Sequence, residues 1–125
     1  MKVFKFGGAS VKDANGVKNV INVLSLFPKE ELVIVVSAMG KTTNALEKVA
    51  LSYWNKDGKT KELLDDVRQY HVKIMNDLGF AAGHALRGMV ENSFVEIDWL
   101  CEEEPSKSFA FVYDQIVSHG EIMST

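Results

Sequence analysis

Leu32-Val33-Ile34-Val35-Val36 is the segment that most limits the fold: five apolar residues, mostly β-branched, running straight into Ser37-Ala38-Met39-Gly40. The run is too short for a helix, and its composition predicts a central parallel strand covered on both faces. Val3, Phe4 and Phe6 predict a second strand, which stops at Gly7-Gly8. Between them Val17, Val20, Ile21 and Leu24 recur at helical spacing, and Pro28 closes the segment. The unit is therefore strand, helix, strand, and its crossover is expected to be right-handed. In open α/β sheets ligands bind beyond the carboxyl ends of the strands. That rule places Gly7, Gly8, Ser37, Gly40, Thr43 and Asn44 along one rim.

Both strand ends have the chemistry of an anion site. Adjacent glycines permit positive φ and close approach. The turn after the first strand feeds a helical pattern that begins at Ser10, so its N–H groups would present partial positive charge to a phosphate. Lys5 adds a full charge beside it. Taken alone, the Gly-Gly pair favours an ordinary strand-to-helix loop; the second glycine and hydroxyl-rich turn shifts that balance. Gly40-Lys41-Thr42 has the ending of a P-loop, but that motif needs a glycine five positions before Gly40, where Val35 stands. The P-loop reading fails for want of a glycine-rich arc.

A chain of 125 residues with 46% hydrophobic and 25% charged residues has the composition of one globular domain. A net charge of -3 offers no basic footprint for nucleic acid. The run Glu102-Glu103-Glu104 reads as a solvated helix end. No apolar stretch approaches the roughly 18 residues of a membrane span and no signal peptide precedes the first strand, so no membrane partner is expected. The single Cys101 cannot form an internal disulfide, and the expected location is the cytoplasm. His71, His84 and His119 lack metal-cage spacing and read as structural or solvated. Trp54 and Trp99 read as packing residues, and the five methionines as gap fillers.

Downstream of Thr43 the period is helical. Leu46, Val49, Ala50 and Tyr53 mark one helix, ending near Lys56-Asp57-Gly58 ahead of a polar linker. Leu63, Val67, Tyr70, Ile74 and Leu78 form a longer stripe with Gly79 at its C-cap. Leu86, Val90, Phe94, Ile97 and Cys101 form the next, and Phe109, Val112, Tyr113, Ile116 and Val117 the last complete one. Ser118 and Glu121 then have the spacing of a capping box opening another helix. Five helices around two strands is an odd ratio, because a two-stranded sheet is marginal and leaves its edges unpaired. The chain is expected to be the amino-terminal piece of a longer protein, and self-association into a homo-oligomer is expected to cover those edges.

Three motifs give this pattern a family. Lys5-Phe6-Gly7-Gly8-Ala9-Ser10 resembles the opening motif of aspartate kinases, which carry Thr or Ser where Ala9 stands. Val35-Val36-Ser37-Ala38-Met39-Gly40-Lys41-Thr42-Thr43-Asn44 resembles their second motif, and Ser118-His119-Gly120-Glu121 their Ser-x-Gly-Glu segment. The motifs occur in the family's order across the chain. The resemblance implies an α/β fold, the amino-terminal portion of the amino-acid-kinase (carbamate-kinase-like) three-layer αβα sandwich, helix-rich with few parallel strands. Residues 1–125 would be an amino-terminal fragment of the catalytic domain, without the ACT regulatory domains.

The implied reaction is ATP-dependent phosphorylation of the L-aspartate side chain to 4-phospho-L-aspartate, which opens lysine, threonine and methionine biosynthesis. The resemblance makes Lys5 catalytic. Lys5, Gly7, Gly8 and Ser10 would contact ATP, and Ser37, Thr43, Asn44 and Glu121 the aspartate. Each has a plain alternative: Lys5 as a surface lysine, Ser10 and Ser118 as helix N-caps, and Glu121 as the returning carboxylate of the capping box. Mg2+ would arrive on the ATP phosphates without a protein ligand. The fragment alone is expected to be inactive. Two other functions fit the same residues: an amino-acid kinase with another carboxylate or carbamate acceptor, and a non-catalytic helical interaction module.

Overall fold

The computed structural model describes residues 1–105 and 108–125. Two strands, β1 (Lys2–Phe6) and β2 (Leu32–Val36), pair in parallel, with Lys2 opposite Leu32 and Phe6 opposite Val36. A short 3-10 turn (Gly8–Val11) and helix α1 (Ala14–Leu24) cross between them. Five further helices follow: α2 (Thr42–Asn55), α3 (Thr60–Asp77), α4 (Ala85–Glu102), α5 (Phe109–Val117) and α6 (His119–Ser124).

Two cores carry the packing. The larger joins α2 to α6 through Leu46, Val49, Leu64, Phe94, Ile97 and Ile116, all at or near zero exposure. The smaller gathers Val11, Val20, Met39 and Ile74, and so ties the crossover unit to α3. Burying each such aliphatic side chain stabilises the fold by about 1.5–3 kcal/mol. The α3 stripe is shifted from its expected centre. Leu64, Val67, His71, Ile74 and Met75 are its buried residues, while Leu63, Tyr70 and Leu78 flank them half-buried.

Local signals explain the boundaries. After α3, Gly79 takes φ +82, its N–H donates to the Asn76 carbonyl, and Phe80 donates to Met75, the paired bonds of a Schellman end. The same pair of bonds closes α2, from Lys56 to Tyr53 and Asp57 to Ser52, with Lys56 itself left-handed at φ 54. His84 caps α4 by accepting from the Leu86 amide at 3.0 Å, a structural use of that ring.

Several expectations are corrected. Ser10 does not cap a helix: it lies inside the 3-10 turn, and Asp13 caps α1 by accepting from Gly16 N–H at 2.8 Å. The Ser118–Glu121 capping box does not form. Ser118 continues α5 in right-handed conformation and donates its N–H to Asp114, whereas a capping residue needs extended backbone. β2 is not covered on both faces, since Val33, Ile34 and Val35 are each exposed by more than two fifths. Val3 on β1 is also exposed. Trp99 stands out from α4 at 65% exposure rather than in a core, and Met89 is likewise exposed.

Candidate functional site

β1 and β2 end side by side, and their turns touch backbone to backbone. The Ser37 N–H donates to the Phe6 carbonyl at 3.0 Å, extending the ladder one residue past β2. The Gly40 N–H then donates to the Gly8 carbonyl at 2.9 Å. A Cβ on Gly8 would stand 2.7 Å from the Gly40 oxygen and 2.8 Å from the Ala38 oxygen, so only glycine fits. The reason for this glycine is close approach rather than positive φ. Gly7 has φ -73 and open space beside it, while Gly40, at φ +56, is the residue of these turns in the left-handed region.

The third motif reaches the same place from the far end of the chain. Gly120 is buried in α6, and an added Cβ would lie 2.9 Å from Ala38 Cβ and 3.5 Å from Thr42 Cγ2. Ala38 and Gly120, 82 positions apart, therefore pack with the bare backbone of Gly120 against the Ala38 methyl, which positions the first turn of α6 against the second turn. His119, between Ser118 and Gly120, faces Glu96 of α4 with Nε2 3.5 Å from the carboxylate.

The predicted site residues fall into this frame as follows. Lys5 is exposed on β1, opposite Val35, with no carboxylate partner among the described residues. Gly7 leads into the 3-10 turn that contains Gly8 and Ser10. The carbonyl of Gly8 is engaged by Gly40, which leaves its N–H as the group free to face a ligand. Ser37 is half-buried at the end of β2. Thr43 and Asn44 occupy the first turn of α2, whose N-cap residue, Lys41, supplies no side-chain cap. The intervening Thr42 is buried and its hydroxyl donates to the Met39 carbonyl at 2.6 Å, which removes it as a ligand group. Glu121 lies exposed in the first turn of α6, and without a capping box its carboxylate is not returned to a backbone amide.

A cleft of about 1110 Å3 lies beside these turns, with Leu51, Leu63 and Val67 among its lining residues. Of the rim residues expected from sequence, Gly40 and Asn44 line it; Lys5, Ser37, Thr43 and Glu121 do not. The convergent turns, where three sequence-remote segments are forced together, form the candidate site in preference to this cleft. Lys12, Lys41 and Tyr70 line the cleft and were not singled out from sequence as site residues. Lys41 lies inside the second motif and Lys12 two residues past the first, so position was their available signal; Tyr70 carried none beyond its place in a helical stripe. Among the described residues no group of three His, Cys, Asp or Glu side chains is arranged to hold a metal, and no helix is long and apolar enough to cross a membrane.

Comparison with known proteins meets this geometry. The family model described as the amino acid kinase family matches residues 1–125. Aspartokinase 2, chloroplastic, from Arabidopsis thaliana is 34% identical over 133 residues, covering 98% of this chain and 23% of that protein. Lysine-sensitive aspartokinase 3 from Escherichia coli is 32% identical, covering 98% of this chain and 26% of that protein. The crystal structure of E. coli aspartokinase III in complex with aspartate and ADP superposes with a TM-score of 0.81 at 30% identity, over 98% of this chain and 26% of that one. The chain thus spans about a quarter of the length of the curated relatives it matches. With a family model along its whole length and aspartokinases alike in sequence and backbone, this chain belongs to the amino acid kinase family, as a segment similar to the amino-terminal part of an aspartokinase.

Proposed function

We propose that this segment carries the phosphate-facing and aspartate-facing turns of an aspartate kinase. The reaction moves the γ-phosphate of ATP to the side-chain carboxylate of L-aspartate, giving 4-phospho-L-aspartate and ADP at the head of lysine, threonine and methionine biosynthesis. The observation that carries this reading is the convergence of all three motifs through Gly8, Gly40, Ala38 and Gly120. The E. coli relative was crystallised with aspartate and ADP, which are an acceptor and a product of that reaction.

The chemistry needs little of the protein beyond position and charge. A carboxylate is already a nucleophile, so no general base is required, and phosphoryl transfer is accelerated by alignment and neutralisation. Lys5, without a carboxylate partner among the described residues, balances charge on the transferring group and on departing ADP. The N–H groups of Gly7 and Gly8 donate to phosphate oxygens, with Ser10 beside them. Ser37, Thr43 and Asn44 hold the acceptor carboxylates, and Glu121 accepts its ammonium. Mg2+ enters as part of the nucleotide substrate and keeps most of its waters.

The exposed sheet residues Val3, Val33, Ile34 and Val35 support a larger catalytic domain, whose further layers would cover them, and self-association of the isolated segment in their absence. The half-buried Cys101 fits a reducing compartment such as the cytoplasm.

The test is the enzyme expressed from its full reading frame, assayed for ADP release with aspartate, glutamate and acetylglutamate as acceptors. Aspartate is expected to be preferred, and Lys5→Ala to lower kcat by about 100-fold or more, the scale for one lost preorganised charge partner. The 125-residue segment alone is expected to be silent. Full activity of the Lys5→Ala enzyme, or a preference for another acceptor, overturns the reading.

A further inference from the structure

We infer that Tyr70 is a positioning residue that sets the spacing between the phosphate-facing and aspartate-facing turns, an inference that rests on the reading above. Tyr70 lies on α3, 58 residues from Lys12 and 30 from Gly40, in a stripe whose other members are buried or half-buried apolar residues. Its hydroxyl does not point into that core. It donates to the carbonyl of Lys12, just past the 3-10 turn that carries Gly8 and Ser10. The same oxygen occupies the space a side chain on Gly40 would need: a Cβ there would stand 2.4 Å from Tyr70 Oη and 3.4 Å from Cζ. One phenol thus bonds the first turn and abuts the second.

These contacts close a loop. Gly40 N–H donates to Gly8 O, Gly8 allows no Cβ against Gly40 O, and Tyr70 holds both from the cleft side. Three constraints from three elements leave the two turns one relative placement. Tyr70 is itself fixed, packed edge-on against the buried ring of His71, so its hydroxyl arrives in a defined position. Burial, together with the negative charge of Asp13, raises the phenol above its ordinary range, and it stays a protonated donor at neutral pH. A donor and an acceptor subsite built on different strands need such a strut, because a shift of about 1 Å between reacting groups costs on the order of 100-fold in rate.

The experiment uses the enzyme expressed from its full reading frame, with variants Tyr70→Phe, Gly40→Ala and the double variant, each measured for kcat, both KM values and melting temperature. Tyr70→Phe keeps the ring and removes the donor. We expect kcat to fall by about tenfold or more while both KM values stay within about threefold, the pattern of an interaction that matters in the transition state. Gly40→Ala should be strongly impaired. In the double variant the clashing oxygen is gone and Cζ remains at ordinary contact distance, so its kcat should be no lower than that of Gly40→Ala.

An unchanged kcat in Tyr70→Phe, with only a lowered melting temperature, overturns the inference and leaves Tyr70 a packing residue. So do losses that simply multiply in the double variant. Should the unmodified enzyme fail to phosphorylate aspartate, the functional reading falls separately. Tyr70 is then judged by glycine-selective nitrogen-15 spectra, in which Tyr70→Phe must move the Gly8 and Gly40 resonances and leave Gly83 unmoved; unmoved Gly8 and Gly40 signals refute the strut.

Discussion

Gly120 presses its Cα face onto Ala38, so closely that a Cβ at position 120 would come within 2.9 Å of the Ala38 methyl. Ala38 is buried in the turn after β2, and Gly120 is buried in α6. Within a helix Ala is ordinarily favoured over Gly by about 1 kcal/mol. Here overpacking, typically costing about 1–3 kcal/mol, outweighs that gain. Gly120→Ala is therefore expected to lower stability by about 1 kcal/mol net. Adding Ala38→Gly should recover much of the loss, and urea titration of the four members of the cycle measures the coupling. Additive effects would mean that the two residues do not meet.

Gly7 and Gly8 are neighbours with opposite tolerance. Gly8→Ala drives a Cβ into two carbonyl oxygens, at 2.7 and 2.8 Å, and neither belongs to a flexible side chain. Backbone must move, and a loss of about 2–4 kcal/mol is expected, within the range of the larger single-residue effects. Gly7→Ala meets open space at φ -73 and ψ 169, an extended conformation any residue adopts. Its stability should change by no more than about 0.5 kcal/mol, the level of a neutral surface substitution. Thermal melts of the pair check this, and equal losses would contradict the close approach.

Lys56 closes α2 in left-handed backbone, φ 54, where a side chain costs about 1–2 kcal/mol relative to glycine. Its ammonium pairs with Glu104, but both side chains are more than three-fifths exposed, and such surface pairs contribute about 0–1 kcal/mol. The backbone term is the larger. Lys56→Gly should thus raise the melting temperature, by about 2–6 °C for a gain near 0.5–1 kcal/mol in a domain of this size. A fall in melting temperature would show that the pair with Glu104 outweighs the strain.

The strands and the helices were legible in the sequence because period and composition report local burial: Val90, Phe94 and Ile97 all lie buried on α4, as their spacing predicts. The meeting of the first two motifs was legible through the rule that ligand sites form at strand ends, and the third was tied to them by the family resemblance alone. Features that depend on two remote partners were not legible. Ser10 had the right residue type for a cap, yet the turn after Gly7 tightened into a 3-10 form, and Asp13 took the role three residues later. Ser118 lost its cap role because α5 runs into it without an extended residue. Tyr70 looked like one more apolar step of a stripe, since nothing in α3 records that Gly40 lies opposite its hydroxyl. The β2 run read as doubly covered because β-branched composition reports strand type rather than which faces meet a partner, and Val33 to Val35 stand exposed.

His71 gives the fold a pH dependence. The residue is 2% exposed, Nδ1 lies 2.9 Å from the Val67 carbonyl, and Nε2 has no partner among the described residues. Burial lowers its pKa from the ordinary 6.5, with the Val67 bond opposing only in part. Because the folded value lies below the unfolded one, the unfolded chain binds the proton first as pH falls. Stability is thus fully present above about pH 6.5 and declines below it toward the folded pKa, at up to about 1.4 kcal/mol per pH unit for one proton. Carboxylates add their own slope lower down, so the diagnostic quantity is a difference. His71→Gln retains polar bulk beside Val67 and cannot ionise. Its unfolding free energy, followed by urea titration from pH 8 to 5, is expected to fall less steeply than that of the unmodified chain by about one proton's worth. Parallel curves would mean that His71 is hydrated and protonatable in the fold, and hence that the space beyond Nε2 admits water.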